Sequence, residues 1–545
     1  MPDILLIQPP IRDFYLTSKR TIPYGLAAIA AILSREGFTV EILDALATPK
    51  SRVIDLPEEF SYLRDYYGPP DLSPFRLFHG FRHYGYSFQH IGDRAKASGA
   101  FLIGISALFT PYADAAIRTA EHVKAAHPAS KIVIGGHHPT ALPESVLESR
   151  AVDFVLRGEG EVGMPLLAKA LKGRYPLHQV PGIAYRSQDG TAQIHEPALM
   201  EDLDAYPVPA FHLLRHPYYQ RGRRNSTVIV ASRGCPMRCT YCSVGAASGF
   251  RYRRRRASSV LDEIEAAVTT HGVRFIDFED ENLSLERAWF LELMREIRTR
   301  FGEHDLELRA MNGLFPPSLD EEVVAAMKQA GFRALNLSLG STCEEQLKRF
   351  QRPDVREAFN RTLSLAEKYG LNTVGYVIAG APFQRPEESV EDLLYLAARQ
   401  VLASVSIFYP SPGSADYDLC RHLQILPPSY SLMRATALPI SHTTTRLQAA
   451  TILRLGRILN FMKMLVDLGF GIPSPAPCRE RAFDDLKDPT GIGRRLLQGF
   501  LHDGKIRGVG PNGRLFEHSV SEDLIEPFIR GLEQIQLKGC VNGEQ

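Results

Sequence analysis

Cys235, Cys239 and Cys242 stand in the run Arg233-Gly234-Cys235-Pro236-Met237-Arg238-Cys239-Thr240-Tyr241-Cys242, spaced C-x3-C-x2-C directly after the β-like stretch Thr227-Val228-Ile229-Val230-Ala231. Three thiolates on one tight loop can hold three irons of a cubane iron–sulfur cluster, because such clusters bind through cysteine sulfur. The loop has no fourth cysteine, so one iron would stay open to a small molecule. Two rival readings carry less. Three is an odd number for disulfides. A closed zinc site needs a fourth Cys or His close by, and the next histidine and cysteine along the chain are His271 and Cys343.

The rest of the chain must position that loop. Its 545 residues suffice for two or three domains with full cores. Apolar content of 44% and charged content of 23% are those of an ordinary globular protein. The 63 Lys and Arg nearly cancel the 62 Asp and Glu, so net charge gives no reason to expect nucleic acid or an anionic membrane as partner. Met1-Pro2-Asp3-Ile4-Leu5-Leu6-Ile7 has neither the basic start nor the long apolar stretch of a signal peptide. No apolar run has the length of a membrane span. With seven cysteines in no regular pairing pattern, the expectation is a reducing, cytoplasmic location.

Residues 1–177 alternate strand and helix signals. Ile4–Ile7 is a short apolar strand ending in Gln8, a helix runs from Tyr24 to Arg35, and further strands fall at 39–43, 101–105, 131–134 and 153–156. Apolar strands separated by helices predict a doubly wound parallel sheet, which binds ligands beyond its strand carboxyl ends. A segment rich in aromatics, Pro and His, about 48–98, reads as a packed insertion at one end of that sheet. Residues 178–225 form a connector with a hairpin signal at Asp189-Gly190. From 226 to 420 the alternation resumes, and six β/α units predict a partial barrel with its chemistry at the strand carboxyl ends. Residues 421–545 read as mostly helical, clearest over 445–468 and irregular towards the end.

The triad, with Tyr241 before its last cysteine, resembles the cluster motif of radical S-adenosylmethionine (SAM) enzymes. Ile134-Gly135-Gly136-His137-His138-Pro139-Thr140 and Asp153-Phe154-Val155-Leu156-Arg157-Gly158-Glu159-Gly160-Glu161 are similar to the cobalamin-binding domain that precedes many such barrels. The resemblance extends over about residues 1–420. It implies a 4Fe-4S cluster, SAM and cobalamin as cofactors, and an electron donor of the flavodoxin or ferredoxin type. It implies cleavage of SAM to a 5′-deoxyadenosyl radical and, in most relatives of this kind, methylation of an unactivated carbon or phosphorus of a small or peptide-like substrate. Cyclisation or rearrangement is the alternative within the group.

Position by position, the resemblance makes Cys235, Cys239 and Cys242 the cluster ligands. Asp280, Glu281 and Asn282 end the second barrel strand, where they reach SAM or cap the next helix. Arg309 ends the third strand and could meet a carboxylate. Ser341 follows the fourth, and Gly380 and Pro382 close the fifth beside the adenine. In the first domain Gln8, Ser106, Thr110, Gly135, Gly136, His137, Gly158 and Glu159 face the cobalamin. Two departures stand out. The Gly-x-Glu-Ser run of many relatives reads Ser338-Leu339-Gly340-Ser341 here, so the acidic SAM contact is absent. The Asp-x-His-x-x-Gly run that supplies a histidine below cobalt is also missing, which favours cobalt without one.

The run Arg251-Tyr252-Arg253-Arg254-Arg255-Arg256 could suggest an RNA patch, but on a neutral chain it reads as a structural segment. Cys343, Cys420, Cys478 and Cys540 read as ordinary thiols. Methylthiolation of transfer RNA would call for an N-terminal domain with its own cysteines, and none precedes Cys235. A cobalamin-binding sensor without turnover is the reading from outside enzymology.

Overall fold

The computed structural model describes residues 1–17, 21–245, 249–439, 441–479 and 481–540. Five parallel strands, Ile4–Gln8, Val40–Asp44, Leu102–Ser106, Lys131–Gly135 and Phe154–Leu156, form the first sheet. Alternate side chains serve opposite faces, as the two-residue period of a strand requires. Leu5, Ile7, Ile103, Ile105, Ile132 and Ile134 pack with Ala116, Ala120 and Val123 of helix Ala113–Ala126. Ile4, Leu6, Leu102 and Val133 pack with Leu26, Ala30 and Leu33 of helix Tyr24–Arg35 and with Met164 and Leu167 of helix Gly160–Leu171. Both faces are covered, which is why these strands are apolar throughout.

The spatial order places Ile4–Gln8 between Val40–Asp44 and Leu102–Ser106. The winding reverses between Ile4–Gln8 and Leu102–Ser106. Gln8 and Ser106 therefore end the two strands at the switch point, where open α/β sheets bind ligands.

Two sequence expectations change. The hairpin Ile183–Arg186 with Ala192–Ile194 is not a free connector but pairs antiparallel with Phe154–Leu156 and extends the first sheet to seven strands. The segment 48–98 divides in two. Helix Phe88–Ser98 packs against helix Ala113–Ala126 as part of the winding, while Phe60, Tyr67, Phe75 and Phe81 are buried in the core shared by the barrel and the C-terminal helices.

The barrel has six parallel strands: Arg224–Ile229, Val273–Phe278, Glu307–Arg309, Ala334–Gly340, Asn372–Ala379 and Leu402–Ile407. Single bridges, Leu308 to Phe332 and Leu314 to Leu337, join its two halves. The exposed backbone at the last strand is covered by Asn460, whose side-chain amide bonds both Ala403 N–H (3.0 Å) and Ala403 C=O (2.8 Å). That closes an edge which would otherwise pair with another chain.

Asn460 lies on the helix Arg446–Asp467, which starts at a capping box of Thr445 and Gln448. Beyond it the chain is more regular than its sequence suggests, with helices Pro489–Asp503 and Glu522–Glu533 around a hairpin of Arg507–Val509 and Leu515–Glu517. Pro527 inside the last helix hides it, because proline argues against a helix interior. Among the described residues no helix is long and apolar enough to cross a membrane.

Candidate functional site

The three thiols lie at the carboxyl end of the first barrel strand. Cys235 and Cys239 are buried and Cys242 is half-buried. Neighbouring strand ends hold their loop at several points. Thr240 donates its N–H to Phe350 C=O and accepts the N–H of Asp416 at its own C=O. Gly234 N–H bonds Glu281 (3.1 Å), and Ser243 Oγ lies 3.0 Å from Ser411 Oγ. Tyr241 stands edge-on to Phe350 with ring centres 4.9 Å apart. It belongs to a small apolar cluster with Ala381 and Phe408, which follow the fifth and sixth strands.

Burial pushes the Cys235 thiol up and Cys242 to about 11, so without a cation these groups keep their protons. The donor set suits iron. Three free sulfurs come from one loop, as a cluster bound through cysteine sulfur requires.

The second strand's end divides its labour. Asp280 turns back to accept Ser232 Oγ (2.6 Å) and Ala231 N–H (3.3 Å), and burial raises its pKa to about 7. Glu281 holds Gly234. Asn282 donates to Cys235 Sγ at 3.9 Å, and its Oδ1 is buried without a partner among the described residues. A buried orphan acceptor beside a cluster thiol fits a ligand that brings a donor, such as the amino group of SAM.

Arg309 meets a carboxylate, but an internal one. Asp277 sits directly opposite on the adjacent strand and accepts from its Nη2 (2.5 Å) and Nε (3.1 Å). Ser341 is likewise engaged within the protein, donating to Asp392 (3.3 Å), which also accepts Thr342 N–H and Oγ1. Gly380 and the buried Pro382 close the fifth strand, where Gln384 bonds Ala381 N–H (3.1 Å) and Ile378 C=O (3.0 Å).

The altered fourth strand has a physical counterpart. Its register shifts between Ser338 and Gly340, and Arg352 tucks against the space above Gly340. The guanidinium donates to Ser338 C=O (2.6 Å), Ser338 Oγ (2.9 Å) and Tyr241 Oη (3.3 Å), leaving Nε buried and unpartnered among the described residues. Sequence reasoning missed Arg352. It follows a helix of only six residues and belongs to no spaced motif.

In the first domain the loop after Leu102–Ser106 carries Thr110 and exposes Leu108 (47%) and Phe109 (38%) at the sheet's mouth. Apolar side chains left open at a switch point suit a large flat cofactor. Gln8 is half-buried there with its amide 3.3 Å from Thr21 C=O, and Ser106 and Gly135 are half-buried at their strand ends.

His138 is buried against Tyr430, bonds Ser145, and is driven to about 4 by burial. His137 is exposed, and the protein around it, with Arg233 nearby, holds its imidazole below the ordinary value. The glycines differ from expectation. At φ 126° a side chain on Gly136 would sit 2.6 Å from Ala107 C=O, and at φ 81° one on Gly158 would sit 2.2 Å from Ala198 C=O. It is the protein's own backbone that requires both. Gly135 has room.

Glu159 also turns away from the sheet's mouth, because two barrel arginines claim it. Arg253 grips its carboxylate at 2.8 and 2.9 Å, and Arg233 lies at 3.4 Å while bonding Glu161 at 2.5 Å. The whole arginine run is neutralised in this way. Arg251 pairs with Glu201, Arg254 with Glu286, Arg255 with Glu263 and Arg256 with Asp204. These pairs, and the closeness of Gly413 to both Ala141 and Ser243, hold the segments around the cluster loop against loops of the first domain.

Comparison with known proteins divides the chain at the same place. Residues 81–168 match the B12 binding domain family and residues 229–396 the radical SAM superfamily. The cytidylyl-2-hydroxyethylphosphonate methyltransferase of Streptomyces wedmorensis is 27% identical over 79% of this chain and 84% of its own length. The anaerobic magnesium-protoporphyrin IX monomethyl ester cyclase of Rubrivivax gelatinosus is 32% identical over 57% of each. The solved radical SAM methyltransferase TsrM of Kitasatospora setae, with cobalamin and a 4Fe-4S cluster bound, superposes with a TM-score of 0.58. At 20% identity it covers 78% of this chain and 76% of its own, a likeness of fold.

Proposed function

The chain belongs to the cobalamin-dependent radical SAM enzymes, and from that premise we propose that it methylates an unactivated carbon or phosphorus of a small or peptide-like molecule. One observation carries the reading: Arg233 and Arg253, which flank the thiol loop in sequence, bond Glu159 and Glu161 just after the last parallel strand of the first sheet and so hold the two halves against each other. Methyl carrier and radical source must both reach one substrate atom, and this arrangement lets them.

Cys235, Cys239 and Cys242 would hold the cluster, and the first sheet's mouth, with Leu108, Phe109 and His137, would hold cobalamin. When bound, the cluster supplies the electron that splits SAM, and cobalamin supplies a transferable methyl group. The chain's own residues position and exclude. Asn282 offers its free Oδ1 to a donor beside Cys235. Tyr241 and Arg352 lock the loop against the fourth and fifth strands. Burial at Asp280 and Ser232 keeps water from the loop's root.

Cytoplasmic location, an electron donor of the flavodoxin or ferredoxin type, and a C-terminal region that caps the barrel belong to the same proposal. Ring formation without net methyl transfer is the second reading, favoured by the likeness to the cyclase. Anaerobic reconstitution tests the proposal. About four irons per chain, one cobalamin, SAM-dependent 5′-deoxyadenosine and a product heavier by one methyl are expected; a product lacking the added methyl would leave the cyclase reading in its place.

A further inference from the structure

A cavity of about 620 Å³ is lined by residues 15, 72–74, 76–78, 457, 461, 464, 489 and 490, none of them in the cluster loop. It opens between the aromatic insertion and the C-terminal helices, and its size is within the roughly 300–1,000 Å³ of small-molecule pockets. Tyr15, Phe78, Phe461 and Met464 give it an apolar and aromatic wall, with Tyr15 and Phe78 stacked at 5.4 Å and 16°.

Two arginines, Arg76 and Arg457, are also in the lining. Among the described residues neither makes an ion pair, in contrast to the fully neutralised run Arg251–Arg256. Nor is Arg457 held as Arg454 is, one turn earlier on the same helix. Arg454 is sealed in the core by the carbonyls of Phe75 (3.4 Å), Tyr66 (3.0 Å) and Tyr67 (3.2 Å). Arg76 and Arg457 are both exposed at the cavity; the surrounding protein and the like charge of Arg76 lower the pKa of Arg457, and of its neighbours Tyr15 opposes them. Two exposed guanidinium groups that share one apolar and aromatic cavity with no carboxylate in its lining suit an anion that also has an apolar body.

We infer that this pocket is a binding site for an amphiphilic anion, a phosphate- or carboxylate-bearing molecule whose acidic group meets Arg76 and Arg457 and whose apolar or aromatic part lies on Tyr15, Phe78, Phe461 and Met464. The lining includes no residue of the cluster loop and no strand end of the first sheet, and the site does not depend on which reaction the barrel performs.

Titration calorimetry on the full chain, reconstituted with both cofactors, tests the inference with phenyl phosphate as ligand and phenol as its neutral counterpart. Phenyl phosphate is expected to bind at least about tenfold more tightly than phenol. In the double variant Arg76→Gln, Arg457→Gln that preference disappears, while Arg457→Lys keeps part of it. Equal binding of the two ligands to the wild-type chain overturns the inference, even where the double variant fails to fold. Undiminished phosphate binding by a folded double variant overturns it as well.

Discussion

The two mouths are built by opposite means. At the barrel, side chains make the site: three thiols, the orphan carbonyl oxygen of Asn282, and Tyr241 and Arg352 bracing the loop. At the first sheet the backbone makes it. Gly136 and Gly158 bring loops within contact of Ala107 and Ala198, and the face left open is apolar. The difference teaches that a site made by a few side chains would be lost with any one of them, whereas a cradle depends on residues whose close contacts are with the protein's own backbone.

The comparison can be broken at either mouth. Gly158→Val places a branched side chain at φ 81° and against Ala198 C=O, which should cost about 3 kcal/mol. We expect cobalamin retention to fall at least about tenfold while iron content stays at the wild-type level. Iron and cobalamin lost together would show that the two mouths are one cooperative unit.

The seam between them is the next largest target. Arg253→Leu leaves Glu159 buried with only the more distant Arg233, and thermal or denaturant unfolding should register a loss of about 3 kcal/mol near neutral pH. Burial favours the protonated Glu159, but Arg253 and Arg233 outweigh it and hold the carboxyl below its ordinary value. A depressed carboxylate stabilises the fold above its unfolded pKa of 4.5 and loses that contribution as the pH falls through its folded value. The deficit of the variant should therefore shrink in acid; a deficit independent of pH would contradict the assignment.

Asp392 tests a group that belongs to neither mouth. Burial lifts it to about 7, so the folded state binds the extra proton between about pH 4 and 7, and stability falls as the pH rises through that window. Asp392→Asn, a neutral mimic of the protonated acid, should flatten this slope, matching the wild type near about pH 4 and gaining on it as the pH rises towards about 7. An unchanged slope would place the titrating group elsewhere.

What was legible in the sequence follows the same division. The triad could be read because cluster ligands must be cysteine at fixed short spacing. The strands of the first sheet could be read because burial on both faces makes them apolar end to end. Glu159, Arg309 and Ser341 were placed at the right strand ends, but their partners, Arg253, Asp277 and Asp392, come from other segments that no local pattern announces. Arg352 was invisible for the same reason. Gly136 and Gly158 were noticed, yet the contact that requires them is with another loop, knowable only once the chain is folded.

The central claim is that Cys235, Cys239 and Cys242 hold a cluster that cleaves SAM beside a separately bound cobalamin. Its most direct test is 5′-deoxyadenosine formation by the anaerobically reconstituted wild-type chain and by Cys239→Ala, with cobalamin content measured on both. The account predicts SAM cleavage by the wild type, none by the variant, and equal cobalamin in the two. Cleavage that survives in Cys239→Ala, or a wild-type triad that takes up only zinc and leaves SAM intact, would contradict it.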